Sequence, residues 1–228
     1  MDTKWWKQCL VLEAVVGSQS YGLNTTSSDV DVRGVVVLPS RMDWSLTSHQ
    51  EYFPDGENGA WELKHFMSLG ASANPNVLET LYSDKVLLLE EEGRLLRDNR
   101  NLFLSNKLRA SYLGYANSQR LRFEKSVKNN EVANWKPLMH TLRLLMAAKN
   151  AFLNGELLVN VGEQRNFLLD VRAGKYSWEE FLAFQHNLEQ EVYAAYEHSV
   201  LPDNPDFDKL NDLYYNLREM QYNKEKKG

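Results

Sequence analysis

The chain has 228 residues, 43% hydrophobic and 25% charged, with a formal charge of −5 at neutral pH. That length suffices for one large domain or two small ones with a substantial core, and the composition is that of a soluble globular protein. The acidic balance argues against broad, sequence-independent duplex binding, which needs many Lys and Arg contacts to phosphate, but it leaves room for a local basic groove. The single cysteine, Cys9, excludes an internal disulfide and reads as a buried strand residue; no Cys/His cluster of zinc-site type is present. No stretch approaches the roughly 20 apolar residues of a membrane span, and the first apolar run is too short and too charged, at Glu13, for a targeting segment. A cytoplasmic location is expected.

In chain order, residues 2–8 read as a short helix and 9–16 as a strand that ends at Gly17-Ser18. Ser18 to Leu23 reads as a brief helical turn whose N-terminus faces an anion. A polar loop leads to Asp29-Val30-Asp31-Val32, where period-two alternation puts both aspartates on one side of a strand over 30–38 that Pro39 stops. Two neighbouring carboxylates repel each other unless a cation lies between them, and hard oxygen ligands suit Mg²⁺ with substrate phosphates filling its other positions. Just upstream, Gly17 lets backbone amides approach a polyanion with no Cβ in the way. Phosphate cradle and metal carboxylates are thus one short loop apart, a nucleotide site in outline.

Residues 40–58 read as an irregular excursion closing in the turn cluster Pro54-Asp55-Gly56-Glu57-Asn58-Gly59. A strand through Trp61 and Leu63 follows, with Glu62 and Lys64 on its other face. A helix then breaks at Asn74-Pro75, and a second one starts with proline in its first turn. A strand over 85–89 and a helix over 90–97 complete a small mixed sheet with flanking helices. Beyond about residue 104 only helical periodicity remains, dividing the chain into a catalytic half, 1–103, and a helical half, 104–228. The span 104–127 reads as one long helix, and within 107–128 lie Lys107, Arg109, Arg120, Arg122, Lys125 and Lys128 with interleaved Tyr112, Tyr115 and Phe123. That mix suits a phosphodiester backbone with stacked bases, and equally a solvated basic face over aromatic core contacts. In the next helix, 132–153, Lys136, His140 and Arg143 fall within an arc of about 60° beside an apolar stripe, placed to meet phosphate across a cleft. Ser177 with Glu180 forms a capping box for a helix reaching about His198, and a last helix spans 206–222.

Gly17-Ser18 followed by Asp29-x-Asp31 is similar to the signature of the DNA polymerase β-type nucleotidyltransferase superfamily. The longer string, Gly17-Ser18-x-Ser20-Tyr21-Gly22-Leu23 through Ser28-Asp29-x-Asp31-x-Arg33-Gly34, resembles a bacterial and phage branch of predicted nucleotidyltransferases, some linked to RNA repair. Asn74-Pro75-Asn76-x-x-Glu79 and Lys136-x-x-x-His140-x-x-Arg143 also resemble that branch. The resemblance implies an α+β fold, with a polymerase-β-like mixed sheet followed by the helical domain. It implies catalysis and metal binding by Asp29, Asp31 and, on a neighbouring strand, Glu62, with Mg²⁺ or Mn²⁺ as cofactor. Gly17, Ser18, Ser28, Arg33, Lys64, Lys136, His140 and Arg143 form the expected nucleotide-binding set. The expected substrate is an NTP such as ATP, and the expected acceptor a hydroxyl at an RNA end. Two other readings stand beside this one: a toxin–antitoxin-type enzyme that modifies a protein (AMPylation) or a transfer RNA, and a sensor that binds NTP without turnover.

Overall fold

Seven residues, Leu10–Val16, form strand β1, buried at every position except Glu13. Such a doubly covered run belongs inside a sheet. It passes directly into a one-and-a-half-turn helix, α1 (Gly17–Tyr21), and the chain returns antiparallel as β2 (Asp31–Val36), with Val16 opposite Asp31 and Leu12 opposite Val35. The computed structural model describes residues 4–26, 28–47, 49–129 and 133–227. After a short helix, α2 (Ser40–Asp43), the excursion that reads as irregular in the sequence contains a hairpin of β3 (Tyr52–Asp55) and β4 (Asn58–Glu62). Pro54 hides β3 from a sequence reading, but β3 is the edge strand, where a missing N–H is tolerated. Strand β4 lies parallel to β2, with Arg33 beside Gly59 and Val36 beside Glu62.

Helix α3 (Leu63–Ala71) starts directly at the end of β4, earlier than the periodicity indicates, because Glu62 caps it. Helix α4 (Pro75–Tyr82) is capped by the Asn74 side chain, which accepts from the amides of Asn76 and Val77. Strand β5 (Val86–Leu89) pairs with β1, giving a five-stranded mixed sheet of order β3-β4-β2-β1-β5. Helix α5 (Glu91–Asp98) lies across β1. The remainder is helical: α6 (Leu108–Lys128), α7 (Lys136–Asn154), α8 (Arg165–Arg172), α9 (Trp178–Glu197) and α10 (Phe207–Lys227). The α+β architecture expected from the sequence is therefore what forms. Ser177 and Glu180 make both bonds of the capping box, and α10 continues to Lys227, five residues beyond the end read from the sequence. Val132, at which the sequence places the start of the next helix, lies outside the described residues; α7 itself starts at Lys136.

One hydrophobic cluster runs from Val11 and Leu12 of β1 through Phe66, Leu78 and Tyr112 to Leu142, Phe181 and Leu217, so it crosses the 103/104 boundary without a break. A smaller cluster of Trp6, Leu10, Val36, Leu38, Phe53 and Ala60 covers the other face of the sheet. Among the described residues, no helix is long and apolar enough to cross a membrane. The approach of α5 to β1 is set by Gly93, where a Cβ would collide with the backbone oxygen of Val11. Backbone cannot swing aside as a side-chain tip can, so Gly93→Ala is expected to destabilise the fold by about 1–3 kcal/mol, measured as a fall in the urea midpoint at unchanged slope.

Candidate active site

The site grows from the β1–α1 junction. Gly17 has φ +66°, and a Cβ there would lie 2.5 Å from Asp31 Oδ2. Glycine thus permits both the left-handed turn and the close approach of a carboxylate across the β1–β2 ladder. Helix α1 ends in Gly22 at φ +71°, and its first amides have no helical acceptor. The loop that follows is held from the far half of the chain. Arg165 donates to the carbonyls of Gly22 and Asn24, Arg172 donates to Leu23 O at 3.3 Å, and Val161 N donates to Tyr21 O at 3.0 Å.

Across a cleft from this turn stands α7. Val16, Gly17, Ser18, Tyr21, Asp31, Arg33, Asn76, Glu79, Lys136 and His140 line one cavity of about 240 Å³. It shares Tyr21, Asn76, Glu79, Lys136 and His140 with an adjoining cavity of about 400 Å³, which Tyr115, Gln119 and Arg122 of α6 also line. Joined, the two have the size of a small-molecule site, roughly 300–1,000 Å³. Gly17, Ser18, Asp31, Arg33, Lys136 and His140 therefore come together, although more than a hundred residues separate the first from the last.

Arg143 sits deeper and does something else. Its Nη1 pairs with Glu79 Oε1 at 2.7 Å, with both side chains nearly inaccessible. Its guanidinium lies 3.7 Å from the centroid of the Tyr21 ring, and Tyr21 donates its hydroxyl proton to Glu79 Oε2 at 2.5 Å. Burial pushes the Tyr21 phenol well above its ordinary range, and the Glu79 carboxylate holds the Arg143 guanidinium charged despite its own burial. This trio joins α1, α4 and α7 in one charge-compensated knot. His140 packs edge-on against Tyr21, with ring centroids 5.9 Å apart. Burial, followed by the positive charges of Arg143 and Lys136, pulls its pKa down to about 3, so in the free cleft it is a neutral imidazole at neutral pH.

The other expected site residues differ in placement. Asp29 precedes β2 and is exposed, as is Val30, so the strand alternation begins only at Asp31. The Ser28 hydroxyl accepts from Thr25 N at 2.8 Å and closes the loop on itself. Glu62 is not beside Asp31. The parallel register pairs it with Val36, five residues further along β2, or roughly 16 Å at strand rise. There its Oε2 accepts from the amides of Lys64 and His65 at 2.7 and 3.2 Å. Lys64 lies in the first turn of α3 and lines a different cavity, with Tyr214 and Tyr215 of α10. The spacing identifies a neighbouring strand for Glu62 correctly, but the level at which two parallel strands meet is set by the connection between them, which periodicity does not report. Two residues back from the Arg33–Gly59 pair, the hairpin presents Glu57 and Asn58 instead. The Glu57 carbonyl accepts from Arg33 Nη1 at 2.6 Å, and Asn58 Oδ1 accepts from Val32 N at 2.8 Å. Sequence reasoning also passed over Tyr21 and Asn76 as site residues, although both stand inside the strings that carry the resemblance.

A Gly-Ser turn opening onto an aspartate-bearing strand, with a basic helix facing both across a cleft, is the plan of a polymerase β-type nucleotidyltransferase. Over residues 7–216 the sequence matches the RlaP family, described as the RNA repair pathway DNA polymerase beta family, and the chain belongs to it. It is also similar to a protein of Enterobacteria phage T4 described as an uncharacterized 38.9 kDa protein in the nrdC-mobD intergenic region. That match is 27% identical over 140 residues, covering 54% of this chain and 40% of the phage protein, so the aligned segment spans less than half of that relative.

Two measurements test the knot. Arg143→Ala leaves Glu79 buried without its counter-charge, and the expected loss of stability is about 3–5 kcal/mol, read from denaturant unfolding. His140 has an ordinary pKa near 6.5 when unfolded and a depressed one when folded. The unfolded chain therefore takes up a proton that the folded chain does not. Its contribution is present above pH 6.5 and is lost on acidification, by up to about 2 kcal/mol between pH 7 and 5. In His140→Gln that part of the pH dependence is expected to vanish.

Proposed function

We propose that this chain transfers a nucleoside monophosphate from an NTP such as ATP to a hydroxyl acceptor at an RNA end, with release of pyrophosphate. The observation that carries this reading is the convergence of Gly17, Ser18, Asp31 and Arg33 with Lys136 and His140 on one cleft. A hydroxyl oxygen of the acceptor bonds to the α-phosphorus while the bond to the bridging oxygen of the pyrophosphate breaks, and the hydroxyl proton passes to solvent. Ser18 and the amides of the α1 turn hold phosphate oxygens, as helix starts do. Lys136 adds a mobile point charge and Arg33 a planar donor at the opposite wall. Neutral His140 contributes a hydrogen bond without adding a cation. Positioning and charge complementarity of this kind supply most of the rate in phosphoryl-type transfers.

Mg²⁺ or Mn²⁺ fits the donor set. Asp31 Oδ2 occupies a niche that exists only because residue 17 lacks a Cβ, Asp29 is two residues away, and hard carboxylate oxygens suit such ions. Bound there, the ion would neutralise phosphate charge and lower the pKa of the attacking hydroxyl. We assign the third carboxylate to Glu57, which the β2–β4 register sets level with Asp31, in place of Glu62. Tyr115 and Arg122, at the outer end of the cleft, favour a nucleic-acid acceptor, since an aromatic ring and a guanidinium together suit base stacking and backbone contact. Of the other basic residues of α6, Arg120 is paired with Glu124, and Arg109 lies over Tyr193 and Tyr196.

The test is a screen of the four labelled NTPs, with Mg²⁺ or Mn²⁺, against RNA, DNA and protein acceptors. RNA extension with pyrophosphate release is expected; protein labelling, or tight binding with no turnover, would replace this reading with one of its rivals. Asp31→Asn is expected to lower turnover by at least about 10³-fold while leaving the urea midpoint near wild type. Lys64→Ala, far from the cleft, is expected to stay within about twofold of wild-type turnover.

A further inference from the structure

A second set of ligands lies at the opposite end of β2 and β4 from the Asp31 cleft. Asp43 at the end of α2, His49 in the loop before β3, and Glu62 at the end of β4 each bring one ligand atom within 4.8 Å of the other two. The His49 Nε2 to Glu62 Oε2 distance is 3.9 Å, too long for a hydrogen bond. It matches the spacing of two donors that share one ion, since atoms each about 2.1 Å from a metal lie about 3–4.2 Å apart.

The independent sign of a missing ligand is Glu62 itself. Its side chain is 1% exposed, and although Oε2 accepts two backbone amides, Oε1 is buried without a hydrogen-bond partner. An orphaned carboxylate oxygen is costly to bury. The guanidinium nearby does not bond to it: Arg218 Nη1 donates to Leu38 O at 3.0 Å, and Nη2 lies 3.1 Å from Asp43 Oδ2 as an ion pair without hydrogen-bond geometry. With Asp43 and Glu62 ionised, Arg218 balances one of the two negative charges and leaves the other uncompensated. Access is open, because His49 also lines a cavity of about 310 Å³ with Arg41, Ser45, Thr47 and Gln50.

We propose that Asp43, His49 and Glu62 form a structural binding site for one first-row divalent cation, distinct from the ion expected at Asp29 and Asp31. An imidazole with two carboxylates favours Zn²⁺, Co²⁺ or Mn²⁺ over Mg²⁺, which prefers oxygen alone and keeps several waters. Since Asp43 is tied to Arg218 of α10, the ion would fasten the C-terminal helix to the sheet.

The test uses the full chain, stripped with a chelator and titrated with Zn²⁺ by calorimetry and with Co²⁺ by visible absorption. An Asp31→Asn background removes the other ion, so failure here is separable from failure of the proposed reaction. In Asp31→Asn, one equivalent of Zn²⁺ is expected to bind, with a Co²⁺ d–d band and a higher melting midpoint. Adding His49→Ala is expected to abolish the band and weaken binding by at least about 100-fold, since the loss of outer-sphere partners alone costs 10–100-fold. Circular dichroism checks that the double variant is folded; Glu62→Gln, which keeps the acceptor oxygen for the α3 amides, provides a second route. Absence of saturable Zn²⁺ binding in Asp31→Asn would overturn the proposal, as would binding unchanged by both His49→Ala and Glu62→Gln.

Discussion

The cleft is framed by a charge pair held almost entirely out of solvent. Arg143 and Glu79 are each almost fully enclosed, and neither is tolerable alone. Their pairing, completed by the Tyr21 hydroxyl and ring, fixes the distance between α4 and α7 and the direction in which α1 leaves the sheet. His140 and Lys136, one and two turns before Arg143, are carried to the cleft on the same helix, and His140 also packs against the Tyr21 ring of the knot. A buried ion pair is a poor source of net stability, but it admits few alternative packings. That selectivity is what a site assembled from distant segments requires.

The halves of the chain were legible to different degrees. The β1–α1–β2 unit could be read because its signals are local: an apolar run, a glycine at a forced turn, alternation from Asp31 onward. The helical half could be read as helices, from periodicity and from caps such as Ser177 with Glu180. What could not be read was every relation that depends on register or depth. Glu62 looked like a site carboxylate because it lies on the strand beside β2; only the Val36–Glu62 pairing reveals that it sits at the wrong end of that strand. Arg143 looked like a phosphate ligand because it shares an arc with Lys136 and His140, yet a helical wheel carries no information about which member of an arc is deepest. The β3–β4 hairpin was hidden by Pro54, which matters in a central strand and not at an edge.

Electrostatics around the cleft follow from the same geometry. His140 is kept neutral by its burial and by two flanking cations, so the positive character of this wall rests on Lys136 and on Arg122 further out. The basic helix α6 is partly engaged with its own neighbours: Tyr112 is core, Phe123 stacks on Trp178, Arg109 covers two tyrosines and Arg120 pairs with Glu124.

The loop between the two motif halves has a further meaning. Its backbone oxygens at Gly22, Leu23 and Asn24 are gripped by Arg165 and Arg172, some 140 residues downstream. In a modular enzyme the catalytic sheet could be lifted out and joined to a different recognition domain. Here the loop between β1 and β2 is shaped by arginines of the helical half, so the two have to change together.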